Sequence, residues 1–358
     1  MPDEGEIAIE DLIANEGVII TLTHAGLLKR TNVSSYRAQR RGGKGVIGMT
    51  TREGETAEDK DFVEHLFTAS THDYLMFFTN TGRVYVERVH EIPDMGRAAK
   101  GRSIANLLEL KAEEKVAALI RIPSRTDENK QDVTWTQAGE LFFTTRLGTV
   151  KKTSLNEFGN VRKGGIIAIG IEPGDTLIEV KQTRGGVAGG DTGDDVILIT
   201  KDGMSIRFSE SDVRSMGRSA GGVKGITLEP GDAVVAAAVV VPDATLLVAG
   251  ENGIGKRTDF EEYRVQSRGG KGIITMKLGE KTGSVIGALT VRANDEIMII
   301  TDSGQMVRTN DKDIREAGRN TMGVKLVNLE AGDKLQAIAP VISEPAGEAA
   351  GEIPPVTP

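Results

Sequence analysis

The chain has 358 residues, with 44 Lys and Arg against 52 Asp and Glu, four histidines and no cysteine. The lack of cysteine excludes disulfides and thiolate-ligated zinc and suits a reducing compartment, no apolar run approaches the ~20 residues of a membrane helix, and the acidic start (Asp3, Glu4, Glu6, Glu10, Asp11) is the opposite of a signal peptide. A net charge of −8 speaks against a nucleic-acid partner, but nine acids and no bases lie in residues 1–16 and 343–358, so 17–342 holds 43 acids against 44 bases and can carry a positive rim.

Residues 1–16 read as an acidic linker or entry segment with one short amphipathic piece over 7–13. A pattern then begins that occurs six times. An apolar, β-branched run (Val18-Ile19-Ile20-Thr21-Leu22) meets a short turn with glycine (His24-Ala25-Gly26), and a second short strand ends in cations at Lys29-Arg30. The turn glycines fall at Gly26, Gly82, Gly148, Gly203, Gly253 and Gly304, each between β-forming runs, which predicts six hairpins. Residues 57–67 fit either a helix face or a strand. Residues 124–139 are a polar insertion containing Trp135, and 185–195 read as a flexible tip between the third and fourth repeats. The Gly-Gly-Val-Ala-Gly-Gly of that tip opens no helix, so it is not a phosphate loop.

Each hairpin is followed by a loop of glycines and cations. The first is Gln39-Arg40-Arg41-Gly42-Gly43-Lys44-Gly45, three cations and three glycines in seven residues. The others carry Arg97, Lys100 and Arg102; Arg162 and Lys163; Arg218 and Lys224; Arg268 and Lys271; and Arg319 and Lys325. Glycine lets the backbone approach a partner closely, and the cations suit a polyanion running past, with duplex DNA the obvious candidate. Most repeats close with an acidic turn and an apolar strand, as at Glu172-Pro173-Gly174-Asp175, Glu229-Pro230-Gly231-Asp232 and Glu330-Ala331-Gly332-Asp333; the first and fifth repeats deviate.

A ~50-residue period of short strands predicts an all-β, six-bladed, propeller-like array over 17–342, as a closed ring or a shallow spiral. After Ser343 the chain is Pro, Gly, Ala and Glu, which predicts a disordered acidic tail over 343–358. No catalytic constellation stands out. His24, His65, His72 and His90 lack metal-ligand spacing, and Tyr36 has no neighbouring base to make it a nucleophile. A propeller-type protein-interaction module and an enzyme with a site in the central channel remain as alternatives; inward-facing acids or histidines would favour the second.

Residues 39–45 are identical to the "GyrA box", the signature of the bacterial DNA gyrase A protein family. Glu10-Asp11-Leu12-Ile13-Ala14-Asn15-Glu16, Thr71-His72-Asp73, Gly148-Thr149-Val150-Lys151-Lys152-Thr153, Gly255-Lys256-Arg257-Thr258 and Val307-Arg308-Thr309 also resemble that family's C-terminal domain, over about residues 7–342. The C-terminal domain of topoisomerase IV, with fewer blades and a degraded box, is the weaker match. The resemblance implies a six-bladed β-pinwheel in which neighbouring blades exchange strands. It implies wrapping of double-stranded DNA around the rim in a positive sense, largely without sequence specificity, so that the holoenzyme can introduce negative supercoils. It implies Gln39, Arg40, Arg41, Gly42, Gly43, Lys44 and Gly45 as DNA-binding residues. Its implied partners are the N-terminal breakage-reunion domain of the same polypeptide and the gyrase B subunit, in an A2B2 complex in the bacterial cytoplasm. ATP and Mg would belong to the holoenzyme, an ATP-dependent type II topoisomerase; this segment would hold no catalytic residue, cofactor or metal.

Overall fold

The computed structural model describes residues 12–33, 61, 63–96, 99–129, 131–186, 190, 193–303 and 305–341. Residues 39–45, Tyr36, Arg97 and the tail after Ser343 lie outside these, so the expectations for them are not addressed below.

Six antiparallel hairpins stand where the turn glycines place them. They are β1 (Gly17–Thr23) with β2 (Leu27–Asn32), β4 (Tyr74–Thr79) with β5 (Arg83–Arg88), and β8 (Glu140–Thr145) with β9 (Thr149–Ser154). After them come β12 (Asp195–Thr200) with β13 (Met204–Ser209), β16 (Ala244–Gly250) with β17 (Ile254–Asp259), and β20 (Glu296–Thr301) with β21 (Met306–Asn310). In five of the six, a threonine hydroxyl at the turn accepts the N–H four residues on, as from Leu27 to Thr23 and from Gln305 to Thr301. The fifth hairpin has Gly250 at that place, and the Thr282 backbone fills the space a side chain there would need.

Inside each hairpin pairs a strand that follows it: β3 (Val63–Ser70), β7 (Val116–Ile122), β11 (Leu177–Thr183), β15 (Val234–Val239), β19 (Val285–Arg292) and β23 (Leu335–Val341). These six surround a common axis. The inner strands β7, β11, β15, β19 and β23 pack on one another in turn, and β23 reaches β3, so the blades form a ring rather than an open spiral. Of the ambiguous stretch 57–67, residues 63–67 belong to β3, and 57–60 and 62 lie outside the described residues.

Outside each of the first five hairpins the sheet borrows a two-residue strand from the next repeat. β6 (Arg102–Ser103) pairs with β2, β10 (Ile166–Ile167) with β5, β14 (Val223–Lys224) with β9, β18 (Ile273–Ile274) with β13, and β22 (Val324–Lys325) with β17. The sixth sheet has three strands among the described residues.

The core lies between blades, not within them. The first hairpin strand of each blade is sandwiched by both neighbouring sheets, which is why it reads as a continuous apolar run instead of an alternating one. Successive residues serve different cores: Leu75 and Phe77 pack toward blade one, Met76 and Phe78 toward blade three. Phe143 and Phe142 divide in the same way between the blade two–three and blade three–four cores. A unit alone would expose one face of each such strand, so the ring folds by stacking.

The 185–195 segment is pinned at its ends: the buried Glu210 carboxylate accepts the N–H groups of Gly185 and Asp194, and the Lys152 ammonium donates to the carbonyl of Gly186. Residues 13–16 bond to the turn that follows β3. Thr71 donates its backbone N–H to the Glu16 carbonyl and its hydroxyl to the Ala14 carbonyl, and the His72 ring lies 2.7 Å from the Ile13 carbonyl.

Candidate nucleic-acid interface

The topology decides where the glycine–cation loops sit. Each of loops two to six begins after a short 3-10 turn at one flat face and ends in an outermost strand, which pairs with the neighbouring hairpin near its turn on the other face. Each described loop therefore crosses the outer perimeter from face to face. Lys100, Arg102, Arg162, Lys163, Lys224, Lys271 and Lys325 are exposed there; Arg218, Arg268 and Arg319 are half-buried.

The glycine before the outer strand has a steric cause. Gly272 has φ +76°, and a Cβ on it would lie 2.1 Å from the Ser205 carbonyl oxygen of the preceding blade; Gly323 has φ +89° and meets the Gly255 oxygen at 2.4 Å. The loop crosses the neighbouring backbone there with no room for a side chain.

Two of the predicted rim cations are also ties between loops. Arg268 donates to the carbonyls of Asp212 and Lys224, and Arg319 to those of Glu262 and Ile274. Lys271 pairs with Glu229 at 2.7 Å, and that partner raises its pKa. Residues 268–272 repeat the Arg-Gly-Gly-Lys-Gly of 41–45 letter for letter. Sequence reading missed Arg214, Arg264 and Arg315, exposed residues at matching places just ahead of loops four, five and six. Their signal was the recurring Arg after Val213, Tyr263 and Ile314.

The cations at the hairpin ends turn the other way. Lys29, Lys151, Lys152 and Lys256 are buried. Arg30 donates to the Ile92 carbonyl, Arg207 to Phe260 and Tyr263, and Arg257 to Ile314, each gripping the 3-10 turn of the next blade. Desolvation pushes the ammoniums of Lys151 and Lys256 down to about 8.

Acids occupy the flat faces. On one, Asp175 accepts the Leu147 N–H, Asp232 that of Asp202 and Asp333 that of Ser303, so these carboxylates cap the hairpin turns of their own blades. In the deviant first repeat Asp61 does the same for Ala25. Burial alone would raise Asp333, but bonds from Ser303 hold its carboxyl below the usual carboxylate range. Glu91, Glu157, Asp212, Glu261, Glu262 and Asp313 stand in the 3-10 turns of the other face.

The centre holds no reactive set among the described residues. His65 on β3 lies within the fields of Glu179 and Lys181 on β11, themselves 3.5 Å apart, and burial lowers its pKa. No group of three or more His, Asp or Glu among the described residues could hold a metal ion. His24 faces Glu64 at 3.6 Å and His90 faces Glu91 at 3.5 Å.

Comparison with known proteins meets this geometry blade by blade. The family model described as DNA gyrase C-terminal domain, beta-propeller, matches residues 17–70, 73–123, 139–184, 194–240, 244–292 and 295–342, one segment for each blade. The DNA gyrase A protein of Mycolicibacterium smegmatis is 43% identical over 341 residues, 95% of this chain and 38% of that protein. The DNA gyrase A protein of Clostridium acetobutylicum is 44% identical over 338 residues, 94% of this chain and 38% of its own length. The chain thus spans well under half the length of these relatives. Among solved structures, the C-terminal domain of a DNA topoisomerase IV superposes with a TM-score of 0.72 at 26% identity, covering 92% of this chain and 94% of that one. A DNA gyrase A C-terminal domain superposes with 0.68 at 27%, covering 91% and 100%. With six matched blades, and relatives of this identity that are gyrase A proteins, the chain belongs to the DNA gyrase C-terminal domain family.

Proposed function

We propose that this chain binds duplex DNA along its rim and bends it into a wrap, and that as part of a gyrase A protein it lets a gyrase holoenzyme introduce negative supercoils. The observation that carries the reading is the division of charge: the outer loops cross the perimeter with cations, and the flat faces carry acids. A polyanion is then favoured at the edge and repelled from the faces. The loops offer cations and backbone amides without a helix or ribbon to enter a major groove, so contacts fall on phosphates and sequence preference is weak. Six loops neutralise on the order of ten phosphates, and the bend costs a few kcal/mol that those contacts offset.

The positive sense of the wrap rests on family membership, as do the partners: the breakage-reunion domain of the same polypeptide, and the gyrase B subunit in an A2B2 complex in the cytoplasm. ATP and Mg act in that complex, and this chain supplies no catalytic group. Residues 39–45 serve as the decisive contact of the wrap, being the loop that joins two adjacent arginines to a glycine pair and a Lys-Gly. The test is to religate relaxed circles with the chain bound, and with Arg40, Arg41 and Lys44 changed to alanine. The unaltered chain shifts the linking number positively, and the folded triple variant loses that shift while still binding linear duplex. An unshifted circle with the unaltered chain sinks the wrapping reading; an unchanged shift in the variant sinks the role of 39–45.

A further inference from the structure

The rim loops are of two kinds, and they alternate around the ring. The second, fourth and sixth share a Gly-Arg start: Gly96-Arg97, Gly217-Arg218 and Gly318-Arg319. The third and fifth lack that start and place a cation directly before a glycine pair, Lys163-Gly164-Gly165 and Arg268-Gly269-Gly270. What lies beneath them alternates too. At one register position of the hairpins (Thr21↔Lys29, Phe77↔Tyr85, Phe143↔Lys151, Leu198↔Ile206, Val248↔Lys256, Ile299↔Val307) lysine stands in blades one, three and five, and tyrosine, isoleucine and valine in the others.

Each of these lysines holds the Gly-Arg loop of the next blade by its carbonyls. Lys29 Nζ donates to Gly96 at 3.2 Å and Ala99 at 3.0 Å. Lys151 Nζ donates to Gly217 at 3.1 Å and Arg218 at 2.6 Å, and to Ala168 at 2.5 Å. Lys256 Nζ donates to Gly318 and Arg319, both at 2.6 Å, and to the Thr321 hydroxyl at 3.1 Å. Loops three and five rest on side chains instead: Gly165 lies over the Tyr85 ring, and Gly270 and Gly272 over Ile206.

We propose that Lys151 and Lys256, with Lys29 at the equivalent place, are positioning residues for DNA: each draws two or more loop carbonyls inward and so presents the opposite amides and the loop cations to the phosphate backbone. This rests on the DNA-binding reading above. In a trans peptide the N–H points away from its carbonyl, so carbonyls drawn onto the ammonium turn the amides of the same peptide units outward. In loop six the amide of the peptide unit whose Gly318 carbonyl faces Lys256 already holds an anion: Arg319 donates its backbone N–H to a Glu262 carboxylate oxygen at 2.7 Å. A neutral amine would hold the carbonyls weakly, since charge-assisted bonds are about twice as strong as neutral ones. The charged groups facing the two ammoniums are Arg218 and Glu157 at Lys151, and Arg319 and Glu262 at Lys256.

The test uses the whole 358-residue chain with Lys151→Met, Lys256→Met and both. Limited trypsin cleavage after Arg218 and Arg319 needs no DNA; it speeds up about tenfold when a charge-assisted hold is lost, while cleavage after Arg162 and Arg268 keeps its rate. Affinity for a duplex of about 60 base pairs, followed at fixed ionic strength from about pH 7 to 9.5, falls about fivefold across pH 8 in the unaltered chain, and the double variant is weak throughout without that step. Unchanged cleavage after Arg218 and Arg319, or the same pH step in the double variant, overturns the proposal. If the methionine variants do not fold, Lys151→Gln and Lys256→Gln decide it by the same cleavage rates after Arg218 and Arg319. A chain that binds no duplex at neutral pH and low salt refutes the DNA reading instead, and the trypsin result still decides whether the lysines hold the loops.

Discussion

Loops five and six do the same topological job by different physics. Loop five, Arg268-Gly269-Gly270-Lys271-Gly272, is thin enough to lie on a flat apolar floor at Ile206. Loop six, Gly318-Arg319-Asn320-Thr321-Met322-Gly323, turns its carbonyls onto the buried Lys256. One is shaped by the absence of side chains, the other by a charge beneath it. Both still need one glycine where the chain crosses the neighbouring strand. The comparison teaches that a sixfold pattern in the letters is a threefold pattern in the supports.

The shared glycine is where the two loops should fail alike, and most severely. Gly272→Ala and Gly323→Ala each add a Cβ within 2.4 Å of a backbone oxygen at positive φ. Each should lose about 3–4 kcal/mol in thermal or chemical unfolding, the sum of left-handed strain and overpacking. Gly174→Ala, at φ +83° in a turn on the flat face with open space around it, should lose about 1 kcal/mol. Equal losses at the three sites would mean that conformation alone, not crossing, demands glycine.

The supports should separate next. Lys151 and Lys256 are protonated in both folded and unfolded chains below pH 8. Between about 8 and the ordinary 10.5 the unfolded chain keeps protons that the folded chain has released, so these lysines make folding more favourable as pH rises. The gain is up to about 3 kcal/mol per lysine across that window. Denaturant titrations at about pH 7.5 and 10 should show a steeper rise in stability for the unaltered chain than for Lys256→Met. An identical pH slope in the two proteins would contradict it. Stability rises over the same pH range in which DNA affinity falls, which separates fold from function at one residue.

Arg268 and Arg319 offer a smaller contrast. Each ties its loop to the neighbouring one by guanidinium–carbonyl bonds, and alanine at either should cost about 1 kcal/mol, since both groups are partly solvated. Urea midpoints of the two variants would check this. A neutral result at both would return them to the DNA-contact set alone.

The smallest effect is on the outer strands. Their second residue is Lys325 in β22 and the exposed Ile274 in β18. Lys325→Ala should lower the slope of log affinity against log salt by about one, as for one lost phosphate contact, whereas Ile274→Ala should leave it unchanged. The same slope for both variants would show that Lys325 meets no phosphate.

Much of the molecule is legible in the amino-acid order. The six hairpins follow from β-forming runs around glycine turns, and the inter-blade core from runs too continuously apolar for a strand with one wet face. The rim cations Lys100, Arg102, Arg162, Lys163, Lys224 and Lys325 are exposed where the pattern puts them. Lys29-Arg30, Lys151-Lys152 and Lys256-Arg257 look in the sequence as suited to DNA as those, yet they face carbonyls of the next blade, because the period-2 alternation of a strand does not say which neighbour lies over each face. Arg214, Arg264 and Arg315 were hidden for the opposite reason, lying just outside the glycine-rich stretch that marks a loop.

The amino-acid order by itself determined the repeat, its strand and turn content and the chemistry of its loops, since these depend on local periodicity, glycine and charge. The tertiary structure decided what depends on contacts between repeats some 50 residues apart: that β23 meets β3 and closes a ring, that the described outer strands are borrowed from the next blade, and that a lysine lies buried beneath the next blade or exposed on the rim. A cation's role here is set by whether the next blade's carbonyls or open solvent lie above it, and that is a property of stacking rather than of any single repeat.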